Sequence, residues 1–374
     1  MPQRHTSDHY LPTLDGWRAV AITMVVLSHS LTTESASNGG GGVVNLLTFR
    51  LGTFGVMLFF AISGYLICTR LLVEEEKNGS ISLRSFYIRR VFRILPPAYA
   101  YLAAVGVLAL AGLLVAGWAD IAGAAFFFSN YVPSSSWFTG HFWSLAIEEH
   151  FYLIWPPILV AFGRKRAIWV GVTLILLTLF LRHRAIAGAP GGADLPGYTQ
   201  FRLDAFMFPC ILAILLRGRP FAKRFTDTMT PAAWCFLLVV LGAGIAAGAA
   251  LPFWREPQRL LQSALLPVVI VTTVMRPDDW FARLLRLRAV EWLGRVSYSV
   301  YLWQQLVFGF APPRGSARSF ALPVLIFLTL LLAALSYRWI EQPMILLGKR
   351  TAARMCSGHD IQRETEGHRD FPLA

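Results

Sequence analysis

Hydrophobic positions in this chain neither alternate nor form a narrow helical stripe. They gather in runs of roughly 17 to 22 residues, with the charges confined to short islands between them. Wound as helix at ~1.5 Å per residue, one such run crosses the ~30 Å hydrocarbon core of a bilayer. About ten runs fit, at residues 17–32, 54–72, 98–118, 143–162, 167–181, 200–216, 232–250, 259–275, 295–311 and 320–340. Between the third and fourth, residues 119–142 are apolar but interrupted by Asn130, Pro133 and the run of three serines after it, which reads as a loop with a re-entrant or interfacial piece. The expectation is an all-α, polytopic transmembrane bundle of about ten spans over residues 14–345. A short N-terminal segment, 1–13, and a polar, mobile tail, 346–374, flank it.

Composition agrees with that pattern. Of 374 residues, 55% are hydrophobic and 15% charged, against about a quarter charged in soluble domains. Tryptophans such as Trp118, Trp143, Trp155, Trp292 and Trp339 sit at run ends, where interfacial belts form. The polar start, MPQRHTSDHYLPT, does not read as a cleavable signal. Cys68, Cys210, Cys235 and Cys356 have no disulfide or zinc spacing, so no metal site is expected. The net charge of +13 would suit nucleic acid if it were clustered on a soluble face. Instead the lysines and arginines fall in alternate loops, RLLVEEEKNGSISLRSFYIRRVFR, GRKR, RGRPFAKR and RPDDWFARLLRLR, and in the C-terminal tail. The opposite loops hold only scattered arginines such as Arg50, Arg182, Arg184, Arg255 and Arg314. By the positive-inside rule both termini are then cytoplasmic, and the partner is a bilayer rather than nucleic acid.

Ionisable groups inside such runs are costly and suggest a use. In LDGWRAVAITMVVLSHS, residues 14–30, Arg18 and His29 are eleven positions apart, on nearly one helix face and about 16 Å apart along the axis. The ordinary reading is a snorkelling arginine and a histidine satisfied by a carbonyl. In GHFWSLAIEEHFYLIWPP, residues 140–157, Glu148 and Glu149 lie about two turns into a span, with Ser144 on the face of Glu148. A His29–Glu pair meeting at one depth would make a general base with its orienting acid; a structural ion pair with Arg18 or Arg202 is the plainer alternative. In SFYIRRVFRILPPAY, residues 85–99, Arg90 and Arg93 share a face and suit a phosphate clamp, although juxtamembrane arginines also bind lipid headgroups. Pro96 and Pro97 would bend or start that helix. FRLDAFMF places Arg202 and Asp204 at a span start, as a polar interior or a salt bridge, and FFAISGYLI puts Ser63 and Gly64 where small residues permit close packing.

Taken together these segments resemble the acyltransferase 3 family of multi-pass membrane acyltransferases. LDGWRAVAITMVVLSH is similar to its opening run, FFAISGYLI to its second span, YIRRVFRILPPAY to its RxxR element, HFWSLAIEEHFYLIWPP to its WSLxxEExFYL run, SYSVYLWQQ to its SYxxYLWH run, and SYRWIEQP to its final IE-x-P element. They occur in order from residue 11 to about 345. The resemblance implies acyl-coenzyme A as donor, no other cofactor, and a hydroxyl acceptor, commonly carbohydrate. It implies His29 as base, Arg18, Arg90 and Arg93 at the donor, and Glu148 and Glu149 as the paired acids. Gln304 stands where the family usually has histidine and carries no acid–base duty; His150 replaces a usual glutamine and Pro209 a common glycine. The chain ends soon after its last run, so no SGNH-type domain is expected and acceptor recognition falls to spans and short loops.

The resulting expectation is an O-acyltransferase with catalytic His29, Glu148 and Glu149, and with Arg18, Arg90, Arg93, Ser144, Arg202 and Asp204 binding substrates. The acids would fix the imidazole while it takes the acceptor proton, and an acyl-histidine is the covalent variant. A transporter or flippase using the same buried groups is the rival from another class. A catalytically inert binding module is a third.

Overall fold

In the computed structural model, residues 11–32, 43–133, 136–188, 195, 197–311 and 316–367 are described. The expectations for residues 1–10, for Arg314 and for residues 368–374 lie outside them. The first half contributes α1 (Pro12–Thr32), α2 (Val43–Asn78), α3 (Leu83–Leu110), α4 (Trp118–Ala125), α5 (Trp137–Gly140), α6 (Phe142–Ala187) and α7 (Asp204–Leu215). It is followed by α8 (Arg219–Thr228), α9 (Pro231–Ala250), α10 (Arg255–Met275), α11 (Trp280–Leu285), α12 (Arg288–Gly309), α13 (Ser316–Ser336), a π-helical turn (Tyr337–Glu341) and α14 (Gln342–Gly367). No strand occurs among the described residues.

Each of the ten apolar runs overlaps a helix, although 98–118 extends past the end of α3 at Leu110. Six helical stretches are long and apolar enough to cross a membrane, within Arg50–Asn78, Leu83–Leu110, Trp137–Ala187, Pro231–Gly248, Arg255–Met275 and Phe320–Met355. The pair α7 and α8, bent by 112°, makes a seventh if it counts as one span. The protein is thus an all-helical integral membrane protein. Helices α1 and α12 are not among the six, and they are the two that carry Arg18 and His29, and Ser297, Ser299, Gln304 and Gln305, inside their apolar runs. Polar groups on the inward face dilute their hydropathy.

Several boundaries differ from the sequence reading for physical reasons. The run at 98–118 belongs to a helix that starts at Leu83, capped by the Ser82 hydroxyl accepting from Ser85 N–H. Of the two readings of Pro96 and Pro97, a bend or a start, the start is excluded, since both lie inside this helix. Runs 143–162 and 167–181 belong to one long helical stretch broken at Gly163, whose φ of 68° is left-handed and suits glycine. The run at 200–216 yields only the 12 residues of α7, ~18 Å of helix, short of a bilayer. The polar tail continues as helix to Gly367, since a helix satisfies its own backbone whatever its side chains.

At the centre stands α2, 78% of whose span window is buried, against 22% to 28% for those of α3, α6, α9 and the α13–α14 stretch. It packs on α1, α6, α7 and α10. Gly64 makes one of these contacts close: a Cβ there would lie 2.7 Å from the Pro209 ring and 2.9 Å from Phe206 O of α7. Phe60, Phe206 and Phe151 then stack across α2, α7 and α6 at 4.6 Å and 4.4 Å between centroids. With α1, α3, α6 and α12, α2 surrounds one internal space.

Candidate functional site

A cavity opens between these helices. Its polar lining is Arg18 of α1, Ser63 of α2, Arg90 and Arg93 of α3, Ser144, Glu148, Glu149 and Tyr152 of α6, and Ser297, Tyr298 and Tyr301 of α12. Six residues singled out in the sequence, Arg18, Arg90, Arg93, Ser144, Glu148 and Glu149, are therefore brought to one place from helices far apart in the chain.

Their pairings are uneven. Arg18 Nη1 donates to Asp15 Oδ1 at 2.9 Å. Glu148 Oε1 accepts hydrogen bonds from the Ser63 and Tyr152 hydroxyls. Ser144 Oγ and Tyr301 Oη are 2.5 Å apart, and Tyr301 also donates to His141 O at 2.9 Å. Arg90 stacks its guanidinium 4.7 Å from the Tyr152 ring centroid and 5.7 Å from that of Phe86. Neither Arg90 nor Arg93 makes a hydrogen bond or ion pair with any described residue. Two guanidiniums thus point at a shared cavity with their donors unused, the arrangement that receives an anionic ligand. Ser63, read in the sequence only as a small packing residue, is a polar partner in the site, while Gly64 does the packing.

The ring of His29 does not line this cavity. Its Nδ1 is 3.0 Å from Gln304 Oε1, and its edge contacts Trp137 with centroids 5.5 Å apart. A carbonyl oxygen only accepts, so Nδ1 carries the proton and Nε2 keeps its lone pair, the tautomer a general base needs. The expected His29–Glu pair is not made: Glu148 is engaged by Ser63 and Tyr152, about 9 Å along α6 from its first turn, whereas His29 sits beside α5, before that helix begins. The two levels are nonetheless carried by the same two helices, α1 and α12. On α12, Ser297, Tyr301 and Gln304 share a face, with Gln304 ~4.5 Å beyond Tyr301; on α1, Arg18, Ile22, Val25 and His29 do the same. Gln304, which departs from the family pattern, is thus the orienting partner of the candidate base. Its contact spans 275 positions, and no local signal in the sequence pointed to it.

Arg202 and Asp204 stand apart, at the other end of the second half of α6. Asp204 pairs not with Arg202 but with Arg182, whose Nη2 lies 2.5 Å from Oδ1. Arg182 also donates to Phe201 O at 2.9 Å and 2.7 Å. Arg182, placed by sequence in a loop, is 2% exposed. His150 bonds Thr199 Oγ1 at 2.7 Å, and Pro209 is the residue against which Gly64 packs. Among the described residues no group of three or more His, Cys, Asp or Glu residues is arranged to hold a metal.

A membrane-embedded helical bundle with an internal cavity lined by arginines and glutamates, and with a histidine held by Gln304 one level above it, is the class this fold and site define. The chain belongs to the acyltransferase 3 family, whose model, described as an acyltransferase domain, matches residues 11–338. It is 31% identical over 364 residues to a Staphylococcus aureus (strain COL) protein named "Putative O-acetyltransferase", covering 89% of this chain and 57% of the relative. A peptidoglycan O-acetyltransferase of Listeria monocytogenes is 27% identical over 377 residues, covering 90% of this chain and 56% of the relative. The chain therefore spans little more than half the length of these curated relatives. No solved structure matches it.

Proposed function

We propose that this protein is a membrane O-acyltransferase that moves an acyl group, most simply acetyl, from acyl-coenzyme A to a hydroxyl of a carbohydrate or similar acceptor. The observation that carries this reading is the pair Arg90 and Arg93, lining the cavity with no carboxylate bound to them. Coenzyme A brings several phosphate charges, which satisfy guanidiniums that the protein leaves unpaired. Family membership and the names of the relatives support the acyl chemistry, and a peptidoglycan-type acceptor is one carbohydrate that fits.

In this reading the bundle makes ten passes, the number of apolar runs, with the bent pair α7 and α8 counted as one of them, and both termini are cytoplasmic by the lysine and arginine bias. The cavity then takes the donor from the cytoplasmic side. His29 Nε2 accepts the acceptor's hydroxyl proton as that oxygen attacks the thioester carbonyl. The carbon–sulfur bond breaks, and the leaving thiolate takes the proton back from the imidazolium. Gln304 holds the ring, the duty expected of the glutamates, while Glu148 ties Ser63 to Tyr152 beneath the stacked Arg90.

The test is release of free coenzyme A thiol by purified protein in detergent supplied with acetyl-CoA. Release in the native protein that vanishes in His29→Ala is the expected result. Equal release by a folded His29→Ala variant contradicts the mechanism, and absence of acetyl-CoA binding would favour the transporter reading.

A further inference from the structure

The cavity holds opposite charges that do not pair. The charges around Arg90 include Arg93, Glu148 and Glu149, and all four residues line the same space. Yet neither arginine makes a hydrogen bond or ion pair with a described carboxylate. Opposite charges in a half-buried site attract strongly, so something must hold them apart.

Tyr152 is placed to do so. It is 4% exposed and lies one helical turn after Glu148 on the same face of α6, whereas Glu149 is turned about 100° away. The Tyr152 hydroxyl donates to Glu148 Oε1, and the Ser63 hydroxyl of α2 donates to the same oxygen. The Tyr152 ring lies against the Arg90 guanidinium, 4.7 Å from its carbon to the ring centroid, with the Phe86 centroid at 5.7 Å. One side chain thus meets the cation with its face and the anion with its hydroxyl. Stacking occupies the flat face of a guanidinium and leaves the N–H groups at its edge free to donate. Arg90 and Arg93 are both partly exposed, so those edges are reachable from the cavity.

From this geometry we infer that Tyr152 is a positioning residue that keeps Arg90 open to a phosphate group, by shelving the guanidinium and, with Ser63, by holding Glu148 away from it. The inference deepens the proposed function and rests on it in taking the phosphate to be one of those of acyl-coenzyme A. Glu148 then serves by being kept occupied. Stripped of its hydroxyl donors, it becomes a competitor for the place of the ligand.

The test is binding of inorganic pyrophosphate and of acetyl-CoA to purified protein in an uncharged detergent, with thermal melts to confirm folding. Tyr152→Phe keeps the ring and frees Glu148, and is expected to weaken pyrophosphate binding by about fivefold or more. Adding Glu148→Gln removes the competing charge and is expected to restore native affinity or better, a rescue that a purely structural role of Tyr152 does not give. Tyr152→Leu/Glu148→Gln, which lacks the shelf as well, is expected to bind about threefold or more weaker than Tyr152→Phe/Glu148→Gln. The inference is overturned if pyrophosphate does not bind the native protein, if Tyr152→Phe binds it as the native protein does, or if Glu148→Gln fails to rescue. It is equally overturned if the leucine and phenylalanine double variants, both folded, bind alike; if the leucine variant does not fold, the phenylalanine pair decides. Pyrophosphate carries no thioester. If these effects appear while acetyl-CoA neither binds nor releases thiol, the acyltransferase reading fails, the role of Tyr152 stands, and only the source of the phosphate changes.

Discussion

Arg89 and Arg90 are neighbours on one helix, yet they meet opposite conditions. Arg89 reaches the end of α2 and binds Glu74 at 3.1 Å. There Glu75 and Glu76 are also taken, by Arg164 at 2.6 Å and 2.8 Å, and Arg217 binds Glu76 at 3.1 Å. One residue on, Arg90 turns into the cavity and rests on an aromatic ring, and neither it nor Arg93 bonds the glutamates that share that cavity. The same residue type is thus a structural tie at one place and an unbonded group facing a cavity at the other. What separates them is whether a carboxylate of the fold bonds the guanidinium directly.

Substitutions test this distinction from the strongest effect downward. His29→Ala is expected to lower turnover by about 10² to 10⁴, the range of a lost general base, without changing the unfolding midpoint; coenzyme A release and thermal melts read the two. Arg182→Leu removes one partner of a sealed pair and leaves Asp204 a buried, unpaired charge. It should cost about 3 to 5 kcal/mol of stability, seen as poor yield or a much lower melting point. Arg90→Gln and Arg93→Gln should each weaken acetyl-CoA binding about tenfold or more while leaving stability unchanged or raised, since each donates to no carboxylate in the fold. Gln304→Ala frees the imidazole to change tautomer and should lower turnover by about tenfold while donor affinity holds. Arg164→Gln, at a half-exposed tie, should change stability by no more than about 1 kcal/mol. A large loss there, or a large stability loss at Arg90, would erase the contrast.

Much of the architecture was legible because a bilayer demands runs of a given length and the runs are uninterrupted. What escaped followed from contacts between distant segments. Pro96 and Pro97 read as a bend or a helix start; α3 runs through them, and Tyr298 Oη donates to Ile94 O at 2.9 Å beside them. Arg182 looked like a loop charge because its partner Asp204 lies 22 positions away, across a chain reversal. The cavity arginines, Ser144 and both glutamates were singled out from their depth in apolar runs, their helical spacing and the family resemblance together, and the cavity collects them. Which group would orient His29 was not legible: periodicity places a residue on a face but not the height at which two helices meet, and that height matched His29 to Gln304 rather than to Glu148.

The central claim is a division between a cation cavity that holds the donor and a histidine above it that performs the chemistry. Measuring acetyl-CoA affinity and coenzyme A release on the same preparations of native protein, His29→Ala and Arg90→Gln/Arg93→Gln tests it most directly. The account predicts native affinity without release for His29→Ala, and lost affinity in the double variant. Lost affinity in His29→Ala, or native affinity in the double variant, would contradict it.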